Sequence, residues 1–248
     1  MESARLYDYH PDFQFNFCSD GIAVFKNIDF FWDTEFQRGY KRAVRSAGVD
    51  HGIQWRFLTC LWAAKNALRL EGDFVECGVG RGIMSSGLME ILDWNALNRE
   101  FYLLDTFSGV VEELCTEAEI EKFTREDGGV KGHNEAFEGF YAESYESVRK
   151  NFQEWSNVTF VKGAVPHSLK DLEIDKVAYL HIDMNSVIPE MEAINFFWPR
   201  LSIGSCVVLD DYAFPDYELQ YGAWNEWGRS NNVAILTIPT GQGLIIKT

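Results

Sequence analysis

The chain has 248 residues, 46% of them hydrophobic and 15% aromatic, and its 22 basic and 38 acidic side chains give a formal net charge of −16. That composition buries a sizeable core and excludes a disordered chain, while the acidic surface repels phosphate backbones and anionic bilayers, so neither nucleic acid nor membrane is an expected partner. Five scattered cysteines without a CxxC pair suit reduced thiols in the cytoplasm, and neither a signal peptide nor a membrane-spanning run is expected.

Residues 1–50 are polar and aromatic without strong periodicity, which suggests an amino-terminal cap; its aromatic residues suit packing on a second subunit of a homo-oligomer. From Gln54 to Leu70 the pattern turns helical: Phe57, Leu58, Leu61, Ala64 and Leu68 recur along one face, with Arg56, Lys65 and Arg69 elsewhere on the wheel. Apolar strands follow at Asp73–Cys77, Phe101–Leu104, Val158–Val161, Val177–Ile182 and Ser205–Leu209. Helices are predicted near Ile83–Leu92, Tyr141–Phe152 and Pro189–Trp198, and Val233–Ile238 with Leu244–Lys247 reads as a closing hairpin. Near-continuous apolar strands alternating with helices imply a doubly wound α/β fold, a mostly parallel sheet covered on both faces and completed by an antiparallel terminal strand. Acids stand at or near the carboxyl ends of four of these strands, the edge where open α/β sheets bind ligands. The polar, glycine-containing stretch 107–155 reads either as a lid above that edge or as a solvated loop.

Three groups of residues carry candidate chemistry. In Glu76-Cys77-Gly78-Val79-Gly80-Arg81-Gly82, alternate glycines let the backbone turn sharply and approach a ligand. A dinucleotide fingerprint would place the third glycine one position later. An acid two residues before GxGxG favours a nucleoside with an amino-acid tail, because a carboxylate meets an ammonium and repels a pyrophosphate. Asp105, at the end of the second strand, is placed to accept hydrogen bonds from both hydroxyls of a ribose. Asp183, Asp210 and Asp211 end two strands that are neighbours in the proposed sheet. Three converging carboxylates repel one another unless a proton or cation intervenes, and their hard oxygens suit Mg²⁺, Mn²⁺ or Ca²⁺. Such an ion lowers the pKa of a substrate hydroxyl, whose proton one carboxylate can then remove. The local alternative is that Asp210-Asp211 caps a turn and Asp183 bonds to its neighbours. His181, inside the fourth strand, and Trp198, Trp224 and Trp227 read as packing residues; His167 lies on the loop after the third strand, near the presumed cofactor edge.

The motif from Glu76 to Gly82, with Leu104-Asp105-Thr106-Phe107-Ser108-Gly109, resembles the first two cofactor motifs of class I methyltransferases. Phe160-Val161-Lys162-Gly163, His181-Ile182-Asp183-Met184-Asn185 and Trp198-Pro199-Arg200-Leu201 leading to Leu209-Asp210-Asp211-Tyr212 narrow the resemblance to the TylF/MycF (macrocin O-methyltransferase) family, over about residues 50–247. The resemblance implies one seven-stranded Rossmann-like domain over residues 1–248 that binds S-adenosylmethionine. It implies Mg²⁺-dependent methyl transfer to a hydroxyl of a sugar or related small natural product. It carries cofactor contacts onto Glu76, Gly78, Gly80 and Asp105, and the expected cofactor site also takes in Gly82, Ser108, Gly163 and Asp183. The implied metal ligands are Asp183, Asp210 and Asp211, with Asp183 as general base. The chain departs from the family where Asn185 and Val187 stand in an Asp-x-Asp-x-Tyr pattern, at Gly204-Ser205 where paired glycines are usual, and at Gly80 where an aromatic is frequent. Two other readings stay open: a nucleotide-dependent oxidoreductase on a related sheet, and a catalytically silent binding protein that keeps the fold.

Overall fold

A computed structural model describes residues 17–24, 26–137 and 144–248. A short hairpin, β1 (Phe17–Ser19) and β2 (Ile22–Val24), leads into α1 (Asp29–Trp32), α2 (Thr34–Ala47) and α3 (Gln54–Ala67). Then come β3 (Asp73–Cys77), α4 (Ile83–Ile91), β4 (Phe101–Asp105), α5 (Glu117–Asp127), α6 (Val130–Ala136) and α7 (Tyr145–Lys150). The chain continues through β5 (Val158–Lys162), β6 (Val177–Ile182), α8 (Val187–Phe197), β7 (Leu201–Leu209), α9 (Glu218–Ser230), β8 (Leu236–Thr237) and β9 (Gly243–Ile246).

Seven strands form one sheet in the order β5-β4-β3-β6-β7-β9-β8. β3 to β7 pair in parallel, and β9 runs antiparallel to both β7 and β8. This is the doubly wound, mostly parallel sheet with an antiparallel strand that the alternating pattern predicts. From β3 the chain winds outward to β4 and β5, and from β6 the other way to β7. The crevice at the carboxyl ends of β3 and β6 is therefore the topological switch point.

The strands read as unbroken apolar runs because both faces are covered. Phe74, Phe101, Leu103, Tyr179 and Val208 join a core with α2, α3 and α4, while Val75, Leu104, Leu180, Val207 and Leu209 join another with α8 and α9. Trp224 and Trp227 are buried in the second core, and Trp198 packs against it, as expected of packing residues. Besides the short α1 and the α5–α6 pair within 107–155, two further helices escape the sequence reading. α2 is capped by the Asp33 carboxylate, which accepts from Phe36 N at 2.8 Å, and ends at the left-handed Gly48. It turns Phe36, Tyr40, Ala43 and Ala47 inward. Where α2 meets α4 the contact is backbone to backbone: a Cβ on Gly39 would stand 2.9 Å from the Gly87 carbonyl oxygen, and one on Gly87 equally close to that of Gly39. The second missed helix is α9.

Other boundaries move for visible reasons. β7 begins at Leu201, which pairs with Val177 ahead of a register shift, rather than at Ser205. Of the expected strand 233–238 only the exposed edge pair Leu236–Thr237 forms. The helix expected near Tyr141–Phe152 begins outside the described residues, which show α7 capped by Ser144. The aromatic segment 1–16, expected to pack on a second subunit, also lies outside them. Among the described residues no helix is long and apolar enough to cross a membrane, and all five cysteines are free.

Glu190 of α8 is buried in the second core and accepts a hydrogen bond from Trp224 Nε1 at 2.7 Å. Burial pushes its pKa from 4.5 up to about 8 against the pull of that hydrogen bond, and Asp211 and Glu119 push the same way. The folded state thus holds this proton more tightly than the unfolded state, and stability falls as pH rises from about 4.5 to 8. Glu190→Gln keeps an acceptor for Trp224 and should flatten that fall. In scanning calorimetry the variant should melt above the native protein near pH 8, by about 2–4 °C for each kcal/mol recovered, with the gain vanishing below about pH 4.5.

Candidate active site

Beyond β3 the chain turns through the glycine loop into α4. Gly78 has φ +87°, and a Cβ there would stand 1.7 Å from the carbonyl oxygen of Asp183, so the loop and the end of β6 touch with no room for a side chain. Gly78 N donates to Leu104 O and Asp183 N to Cys77 O, each at 2.8 Å, tying together the ends of β4, β3 and β6. Asp105 closes the arrangement from β4. One carboxylate oxygen accepts from Val79 N at 2.7 Å and Gly80 N at 2.8 Å, and the other from Phe107 N at 2.6 Å. Burial raises its pKa, and these backbone donors work the other way. Two donors fill the lone pairs of Oδ2, so any capacity for a ligand hydroxyl lies on Oδ1, where Thr106 Oγ1 stands at 3.5 Å beside the Phe107 N bond.

A cavity of about 450 Å³ opens on this edge, lined on one side by Gly78, Val79, Gly80, Asp105, Thr106 and Gly163. Asp183, Asp210 and Asp211 line the same cavity, each offering an oxygen within 4.8 Å of the others. Burial, then Asp210 and Asp211, push the Asp183 carboxyl well above the usual range. Burial and Asp210 push Asp211 up to about 7. Asp210 goes the other way: burial opposes its ionisation, but His181, Arg56 and Gln242 outweigh it and hold the acid low. Gln242 Nε2 donates to Asp210 Oδ1 at 2.8 Å, and His181 Nε2 lies 3.5 Å from the same oxygen.

The structure thus brings Gly78, Gly80, Asp105, Gly163, Asp183, Asp210 and Asp211 to one cavity. Among the described residues its wall does not include Glu76, Gly82 or Ser108. Ser108 is exposed, and Gly82 begins α4 against the Phe152 ring. Glu76 is buried within β3, where strand alternation points it beside His181 of β6; its Oε1 lies 3.1 Å from His181 Nδ1, and its Oε2 has no hydrogen-bond partner. His181 is accordingly a core residue, as expected, but an ion-paired one. Burial would lower its pKa, and Cys60, Asp210 and Glu76 together raise it.

Arg56 is the functional residue that sequence reasoning missed. Its Nη1 lies 2.9 Å from Asp210 Oδ2 and 3.3 Å from Asp211 Oδ1, its Nε 3.2 Å from Asp20 Oδ1, and its guanidinium stacks 4.5 Å above the Phe214 ring. Burial works against the charge, and the surrounding aspartates more than restore it. The signal was present in α3: Cys60, Ala63 and Ala67 make a second apolar face, so the helix is covered on two sides and Arg56 has no solvent face to occupy.

Comparison with known proteins places this geometry. The profile described as Macrocin-O-methyltransferase (TylF) matches residues 58–234. The chain belongs to that family. Over 163 residues it is 28% identical to the 8-demethyl-8-(2,3-dimethoxy-alpha-L-rhamnosyl)-tetracenomycin-C 4'-O-methyltransferase of Streptomyces olivaceus, covering 61% of this chain and 59% of that protein. It is 26% identical over 160 residues to the mycinamicin III 3''-O-methyltransferase of Micromonospora griseorubida, covering 61% and 60%. The matched regions therefore span about three-fifths of either relative. Among solved structures, the O-methyltransferase NovP superposes with a TM-score of 0.69 at 19% identity over 90% of this chain and all of that one, which shows the shared fold.

Proposed function

We propose that this chain is an S-adenosylmethionine-dependent O-methyltransferase acting on a hydroxyl of a small sugar-like or natural-product-like molecule, with Mg²⁺ assisting. The observation that carries this reading is one cavity lined by the glycine loop, by Asp105 and by three convergent carboxylates. The relatives' named activities, 4'-O-methylation of a rhamnosyl-tetracenomycin and 3''-O-methylation of mycinamicin III, support the acceptor class.

The close contact at Gly78 and the position of Asp105 beside the loop fit a nucleoside with its tail laid along the loop, a ribose hydroxyl replacing the long Thr106 contact on Oδ1. S-adenosylmethionine, held by Gly78, Gly80 and Asp105, would supply an electrophilic methyl for the acceptor oxygen, with its sulfur as the leaving group. The oxygens of Asp183, Asp210 and Asp211 fit a hard divalent ion, which lowers the pKa of an acceptor hydroxyl. Asp183 is the base that takes the hydroxyl proton, its buried position between two acids making it a better proton acceptor than an ordinary carboxylate. Gly82, Glu76 and Ser108 act from outside the wall: Gly82 by starting α4, Glu76 through His181, and Ser108 from the loop beyond Asp105. The α5–α6 pair, with a small core of its own at Cys115, Phe123 and Val130, serves as a lid that excludes water.

Calorimetric titration with S-adenosylhomocysteine should show one saturable site with or without Mg²⁺. Exhaustive chelation should then lower turnover by about tenfold or more, restored by added Mg²⁺. Full activity in chelator would remove the ion from the mechanism, and absence of homocysteine-analogue binding would remove the methyltransferase reading itself. Saturable NADH binding would instead favour the oxidoreductase alternative, against which family membership now stands.

A further inference from the structure

We propose that Arg56 and the divalent ion are rivals for Asp210 and Asp211, and that Asp20 is the place to which Arg56 withdraws when the ion enters. This rests on the divalent-ion reading above and concerns how that ion is admitted.

The occupancy of the carboxylates sets up the rivalry. Asp210 Oδ1 is taken by Gln242 and faces His181, which leaves Oδ2, and Arg56 Nη1 is on it at 2.9 Å. The same nitrogen reaches Asp211 at 3.3 Å. A divalent ion seated on these oxygens would share them with a fixed positive charge a few ångströms away, in a site where burial weakens screening. Guanidinium and ion therefore exclude each other.

Asp20 provides the second position. It sits at the turn between β1 and β2, its side chain is 4% exposed, and only Oδ1 is engaged, by Arg56 Nε. Its Oδ2 is buried and has no hydrogen-bond partner, an arrangement that costs stability unless another state satisfies it. The guanidinium carries its donors in a planar fork matched to a carboxylate. If Nη1 leaves Asp210, the fork can close on both oxygens of Asp20 while the plane stays on Phe214. Arg56 thus supplies a counter-charge to Asp210 and Asp211 in the metal-free protein, at the expense of ion affinity.

The test is a titration of the full chain with Mn²⁺, followed by the electron paramagnetic resonance signal of the free ion, for the native protein, R56Q and R56K. R56Q should bind Mn²⁺ about tenfold more tightly than the native protein, a difference of about 1.4 kcal/mol. R56K, a charge without the fork, should fall between them. In chelator R56Q should melt below the native protein, and Mn²⁺ should restore more of its melting temperature than it adds to the native one. Equal or weaker Mn²⁺ binding by an R56Q that still binds S-adenosylhomocysteine overturns the proposal. If R56Q does not fold, R56K decides, and binding equal to the native protein's overturns it. No Mn²⁺ binding by any of the three proteins overturns both the rivalry and the divalent reading, with intact S-adenosylhomocysteine binding leaving the methyltransferase reading in place.

Discussion

Asp183→Asn should lower kcat by about 10²–10⁴-fold, the range associated with loss of a positioned general base, and leave S-adenosylhomocysteine affinity nearly unchanged. The split follows from which atoms of Asp183 do what. Its backbone supports the glycine loop, through the amide that donates to Cys77 O and the carbonyl packed under Gly78. Its side chain faces Asp210 and Asp211. Asparagine keeps the shape and the backbone and removes the proton acceptor. The native rate should fall at low pH, where the base becomes protonated and idle, and the variant's residual rate should lack that limb. Steady-state kinetics across pH, paired with calorimetry, reads both halves. An unchanged kcat would take the proton-accepting role away from Asp183.

Gly78→Ala is the second large effect, and it strikes the other function. The new methyl would need the space of the Asp183 carbonyl oxygen, 1.7 Å away, at a φ of +87° that L-residues rarely adopt. Neither neighbour is a side chain that can swing aside, so the loop or the end of β6 must move by an ångström or more. Displacements of that order cost about 10²-fold where reacting groups must be aligned. The variant should lose about 10²-fold or more in S-adenosylhomocysteine affinity and melt well below the native protein. Gly128→Ala is the control: it shares the positive φ, at +76°, but has nothing within 4 Å. It should cost about 1 kcal/mol of stability and leave ligand binding alone. Equal behaviour of the two variants would show that strain, not the contact with β6, governs the loop.

The parts of this molecule that were legible in the sequence are those that one segment encodes. Five parallel strands stood out because burial on both faces makes each an apolar run. The glycine loop and the acids at strand ends sit next to the strands that aim them. What stayed hidden depends on distant segments meeting. Arg56, Asp20 and Phe214 come from α3, a hairpin turn and the loop after β7, and no local pattern links them. α2 was hidden differently: Phe36, Tyr40, Ala43 and Ala47 do recur at helical spacing, but Arg38, Lys41, Arg42 and Arg45 lie among them and mask the stripe. The cap signals, Asp33 and Gly48, were there to be used. Glu76 is placed by the period of two along β3, which puts it on the face of Phe74 and beside His181.

The crossing of α2 over α4 at Gly39 and Gly87 has a mechanical consequence for how a ligand gets in. α4 continues directly from the glycine loop, and α2 meets it at two glycines with the Ile91 and Phe57 side chains packed into the same crossing, so neither helix can tilt against the other without driving backbone or these buried side chains together. Arg81 Nη1 holding the Ala47 carbonyl at 2.9 Å and Asn151 Nδ2 reaching both Ser46 O and Arg81 O add latches along the same seam. That side of the doorway is a fixed jamb. Elsewhere on the cavity rim, α5 and α6 are held by discrete polar ties: Glu119 accepts from Val187 N at 2.8 Å, Asn134 bonds both the N and the O of Val110 at 2.8 Å, and Lys122 reaches the Asp216 carbonyl, so a door that swings there has those bonds to break.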